Sequence, residues 1–115
     1  MRWQRWFLAG GAAYNAGWVV ALLARPEAVF AQVPPLLPLL VAGVALEGLG
    51  MLVSALRFVP WLLALVLLGK LLGPFVFLAF ALLGWFAPSS WWLSLVNDVA
   101  WIPPLVAILR GKERW

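Results

Sequence analysis

Cysteine and histidine are both absent from this chain. Their absence excludes disulfide exchange, iron–sulfur clusters, zinc–thiolate sites and histidine-held haem or chlorophyll. The side chain that most often moves protons near neutral pH is missing as well. Charge is scarce: only 10% of the 115 residues are charged, against about a quarter in a soluble domain. What remains is apolar, with 66% hydrophobic residues and a mean hydropathy of +1.03. A soluble fold of this length could not hide so much apolar surface, so the composition is that of an integral membrane protein. No nucleophile–base pair, metal-ligand cluster or phosphate loop can be picked out. The chain is therefore not expected to be an enzyme or to hold a cofactor.

The net charge of +4 could suggest a nucleic-acid partner, but the positions of the charges speak against one. Arg2 and Arg5 open the chain, Arg110, Lys112 and Arg114 close it, and Arg57 lies at a helix junction. These are membrane flanks, with lipid as the neighbour.

A transmembrane helix needs about 20 mostly apolar residues. Four stretches qualify, at 6–24, 36–56, 61–83 and 91–109, and they predict a single all-α domain, a four-helix membrane bundle over 1–115. Pro26, Pro34, Pro35 and Pro38 break the chain after the first stretch, Pro60 starts the third, and "FAPSS" precedes the fourth. Tyr14 and Asn15 interrupt the first apolar run, which favours a retained span over a cleaved leader. Six Lys/Arg fall on the side of the termini and only Arg25 on the other, so both termini are expected in the cytoplasm of a bacterial inner membrane. Trp3, Trp6, Trp61 and Trp115 are then expected at one interface, and Trp85, Trp91 and Trp92 at the other.

Small residues suggest helix contacts. They are Gly10, Ala13, Gly17, Ala21 and Ala24 in the first span, Gly43, Gly50 and Ser54 in the second, and the pair Gly69 and Gly73 in the third. No internal repeat is visible.

Glu47, Lys70 and Asp98 are the ionisable residues, besides Tyr14, that fall well inside the spans. At about 1.5 Å per residue, Glu47 and Lys70 lie near the midplane of a core about 30 Å thick, and Asp98 slightly toward the far side. Tyr14 and Asn15 reach a similar depth. A lone cation in hydrocarbon costs several kcal/mol, so Lys70 is expected to face the two carboxylates. Two acids against one base leave a spare charge. It calls for a proton on one carboxyl or for hydrogen bonds from Asn97, Asn15 and Tyr14. Pro103 and Pro104 are expected to break the fourth span and free the carbonyls near residues 99 and 100, and Gly73–Pro74 to kink the third. Tyr14, Asn15, Glu47, Lys70, Asn97, Asp98 and Trp101 form the candidate polar layer. It is either a structural lock or a site for a small amphipathic ligand, and the sequence favours neither.

Tyr14–Asn15, "GKLLGP" at 69–74 and "NDVAWIPP" at 97–104 resemble motifs of a family of small bacterial four-helix membrane proteins. These are loosely similar to the DoxX-like group. The resemblance covers nearly the whole chain in layout and implies a four-helix inner-membrane bundle. Some DoxX-like proteins serve quinone-coupled oxidation as membrane partners of other subunits. By analogy this chain would be an accessory subunit of a respiratory complex, and a chain this small would act as a homodimer or beside a partner subunit. It departs from the pattern at Ala100, before Trp101, and at Pro104, where a second aromatic is expected.

Overall fold

The computed structural model describes residues 2–115, apart from the side chain of Pro88. Five α-helices make four spans: α1 Trp3–Ala24, α2 Leu37–Leu56, α3 Pro60–Leu82, α4 Trp91–Asn97 and α5 Ile102–Arg110. Three short 3₁₀ turns join them, and no strand occurs among the described residues. The segment Trp91–Arg110, containing α4 and α5, is the fourth stretch long and apolar enough to cross a membrane. An all-α chain with four such stretches has the architecture of a multi-pass membrane protein.

Proline sets several boundaries. Pro60 begins α3 and Pro38 lies in the first turn of α2, where a missing N–H has no helical partner to lose. Pro74 lies inside α3, yet the helix runs unbroken through it. Gly84 ends α3 with φ +81°, the one left-handed residue described. The amide of Trp85 donates to Phe80 O and that of Gly84 to Ala81 O. This is the paired closure of a Schellman turn, which a residue with a Cβ adopts only under strain.

Each helix buries one stripe. Leu8, Gly11, Asn15 and Leu22 line the inner face of α1, and Leu63, Val66 and Lys70 that of α3. Leu8, Met51, Ala55, Leu63, Leu105 and Ile108 form the apolar core, near the end of the bundle where both termini lie. The opposite end carries the α1–α2 and α3–α4 connections. These are tied together by the amides of Ala31 and Gln32, which donate to Trp85 O.

The small residues of α1 do not pack as the sequence suggested. Gly10, Ala13 and Gly17 are exposed on the outside of the bundle, and a side chain at either glycine would meet nothing within 4 Å. The close approach of α1 and α2 runs through Gly11 and Gly48 instead. A Cβ at Gly11 would overlap Met51 Sδ, and one at Gly48 would lie 2.9 Å from Asn15 Cβ. Gly50 plays the same part against Val66 of α3, while Gly43 faces open space.

Trp3, Trp6, Trp61, Trp91 and Trp92 are exposed, as interfacial anchors would be. Trp115 differs. Its ring packs edge-on against Phe58, and its indole donates to Ser54 O at 2.6 Å. Arg5 Nε donates to Ala55 O at 2.8 Å. The last turn of α2 leaves carbonyls without intrahelical donors, and an indole and a guanidinium satisfy two of them.

Candidate functional site

Lys70 sits on the buried stripe of α3, two turns beyond Leu63, and is 3% exposed. An ammonium in that position must spend its three donors locally. Its Nζ donates to the backbone carbonyl of Asn97 at 2.9 Å and lies 3.0 Å from Glu47 Oε2. Asp98 Oδ1 is 4.0 Å away, beyond hydrogen-bond reach. The Trp101 ring centroid is 5.7 Å from Nζ, within the range of a cation–π contact.

The Asn97 carbonyl is free because the fourth span breaks at Asp98, which has φ −127° and ψ −62°. The break falls earlier than Pro103 and Pro104 imply. Both prolines sit in the first turn of α5, where their missing N–H groups are harmless. The chain achieves this by closing α4 before the prolines and restarting through the 3₁₀ turn Val99–Trp101. The carbonyls that side chains close are consequently those of Val96 and Asn97, while Val99 O accepts the amide of Ile102. Trp101 Nε1 donates to the first at 2.9 Å and Lys70 to the second. An indole and a cation again close a helix C-terminus, where a positive charge is favoured.

Gly69 and Gly73 flank Lys70 by one residue and by three, and carboxyl groups fill the space their missing side chains leave. A Cβ at Gly69 would overlap the Glu47 carboxyl, and one at Gly73 the Asp98 carboxyl. The G-x-x-x-G pair thus seats two acids beside the ammonium rather than bringing two backbones together.

The neutral members of the predicted layer point elsewhere. Tyr14 donates its hydroxyl to Asn97 Oδ1, and Asn15 Nδ2 donates to Val44 O at 3.0 Å. Asn97 acts as an acceptor through both its side-chain oxygen and its carbonyl. Neither Tyr14 nor Asn15 donates to a carboxylate, so of the two expected ways to settle the spare charge, hydrogen bonds from these two residues are not used.

Above this cluster, toward the loop end, lies a cavity of about 430 Å³. Tyr14, Asn15, Glu47, Lys70, Asn97 and Asp98 contribute to its lining at the floor. The walls are apolar, from Trp18 and Leu22 of α1, Leu40 and Val44 of α2, and Phe77 and Phe80 of α3. Phe30 and Phe86 roof it, with ring centroids 4.8 Å apart, and Phe77 stacks on Phe86 at 5.0 Å. Leu39, Leu72 and Val76 line the cavity and are also exposed outside. The wall between α2 and α3 is therefore incomplete, and the cavity opens sideways there.

Comparison with protein-family models, curated proteins and solved structures finds no match for this chain.

Six of the seven residues of the predicted layer line the cavity. Trp101 does not. Its ring lies on the other side of the cluster, packed at a tilt against Tyr14 at 5.4 Å and Phe7 at 5.0 Å. Sequence reasoning missed the roof formed by Phe30 and Phe86, which sit in loops with no periodicity to read. Ser94, one turn before Asp98 on the same face of the span by its sequence spacing, is buried at the cavity wall.

Proposed function

We propose that this protein binds, and carries within the membrane, a small amphipathic molecule whose polar head rests on the Glu47–Lys70–Asp98 cluster. One observation carries this reading: a cavity of about 430 Å³ with apolar, partly aromatic walls ends on a cluster of polar groups that includes the buried Asn15 and Lys70. Ligand sites have that character, with apolar walls supplying affinity and a few polar groups fixing orientation. The side opening between α2 and α3 gives a lipid-dissolved molecule a route that never crosses water. The distribution of Arg and Lys favours cytoplasmic termini in a bacterial inner membrane, so the cavity would occupy the outer half of the bilayer.

Native mass spectrometry of gently extracted protein tests this. Gly43 lines the cavity and faces open space, so Gly43→Phe should fill the cavity without disturbing packing. A reproducible non-lipid adduct that disappears in Gly43→Phe supports the reading. An adduct retained by that variant places the ligand elsewhere.

A second reading rests on a different observation. Lys70 joins α2 to α4 through Glu47 and Asn97, so the cluster also serves as a lock. An accessory subunit of a larger complex, such as a quinone-linked one, would need only that. A partner chain that co-purifies stably, with no adduct, favours it.

A further inference from the structure

We infer that the molecule accepted by this cavity carries a positively charged head, an amine or related organic cation on an aromatic or aliphatic body, and that Asp98 receives it. The inference deepens the proposed function and rests on it.

Charge balance is the first argument. The cluster holds two carboxyls and one ammonium. Tyr14 and Asn15, which could have solvated the surplus acid, donate to Asn97 and to Val44 instead. A surplus carboxylate in apolar surroundings must be neutralised by a proton or by a cation from outside the chain.

Geometry decides which acid is available. Glu47 is engaged by Lys70 at 3.0 Å, whereas Asp98 stands at 4.0 Å. Lys70 places two of its donors on Glu47 and Asn97 O, which leaves Asp98 without a short partner.

Accessibility sets the sign of the floor. The Lys70 side chain is 4% exposed, against 18% for Asp98 and 23% for Glu47. An occupant therefore meets carboxylate oxygens, with the ammonium tucked behind them. The same floor repels an anionic head.

The walls are suited to the body of such a ligand. Phe77 and Phe80 of α3 and Phe30 and Phe86 of the roof offer ring faces on which an apolar or aromatic group stacks.

Three probes with one body and different heads provide the test: 4-phenylbutylamine, 4-phenylbutan-1-ol and 4-phenylbutanoate. Their binding to the full chain is compared by native mass spectrometry, and again with Asp98→Asn. The amine should bind about tenfold tighter than the alcohol, a difference of about 1.4 kcal/mol, with the carboxylate weakest. Asp98→Asn should bring amine and alcohol within about twofold of each other. Equal binding of amine and alcohol to the wild-type chain overturns the inference and leaves the cavity reading standing, with a proton as the neutraliser. Preference for the carboxylate overturns it in favour of Lys70 as the head partner. Binding of none of the three overturns the inference and the cavity reading together. If Asp98→Asn fails to fold, the wild-type ranking of the three probes still decides.

Discussion

Lys70 donates to the main-chain carbonyl of Asn97, 2.9 Å away, across the point where the fourth span breaks. A lysine held only by acids would be an ion-pair member. Held in addition by an orphan carbonyl, it is part of the backbone hydrogen-bonding of another helix, and its loss should be felt in three helices together.

Lys70→Met should therefore lower stability strongly, by about 3–5 kcal/mol, because the Glu47 carboxyl and the Asn97 carbonyl are left without their donor and Asp98 without a nearby countercharge. Adding Glu47→Gln should restore part of the loss by removing one unpaired charge. Thermal unfolding of the single and double variants in lipid nanodiscs measures both. Unchanged stability in Lys70→Met would remove the cluster from any structural role.

Gly73→Ala should destabilise by about 1–3 kcal/mol, the usual cost of overfilling a packed site, because its Cβ would overlap the Asp98 carboxyl. In the background of Asp98→Ala the same substitution should cost much less, a non-additivity that a double-mutant cycle reads directly. Additive losses would mean that Gly73 serves some other contact.

Gly10→Ala and Gly17→Ala should behave in the opposite way. Both positions face open space, and alanine favours a helix over glycine by up to about 1 kcal/mol. Stability should be unchanged or raised in the isolated chain. A clear loss, accompanied by a change in oligomer mass, would show that a neighbouring helix covers this face.

Trp101→Phe keeps a ring packed against Tyr14 and removes the indole donor to Val96 O. One hydrogen bond of about 1 kcal/mol should speed amide exchange within α4 roughly fivefold if that helix opens locally. Exchange in α3 should not change. Equal acceleration throughout would show that α4 opens only with the whole bundle.

The spans and the polar layer could be read from the sequence because both follow from composition and depth. Hydrocarbon tolerates few alternatives to an apolar helix, and a buried Lys70 needs an acid within reach. The helix faces were harder. In a chain this apolar, Gly10 and Gly11 look alike, yet one faces outward and the other accepts Met51. Lipid removes the contrast between inside and outside that makes a soluble helix legible. The break was misplaced for a related reason. Pro103 and Pro104 announce a discontinuity, but whether it lies before or after them depends on which carbonyls find donors. Lys70 and Trp101, supplied by tertiary structure, settled that at residues 96 and 97. The aromatic roof was invisible because Phe30 and Phe86 meet only when two loops are brought together.

The fourth span is built as two half-helices, and the one that walls the cavity has seven residues. A helix so short does not persist alone in water, and its order here is borrowed from the donors that close its end. The group that supplies one of those donors is paired with Glu47 and lies 4.0 Å from Asp98, the acid on which an occupant would rest. Filling the cavity and ordering its wall are therefore reciprocally linked quantities. Whatever draws Glu47 or Asp98 toward itself alters how firmly Lys70 grips α4, and a looser or tighter α4 alters affinity by the same factor.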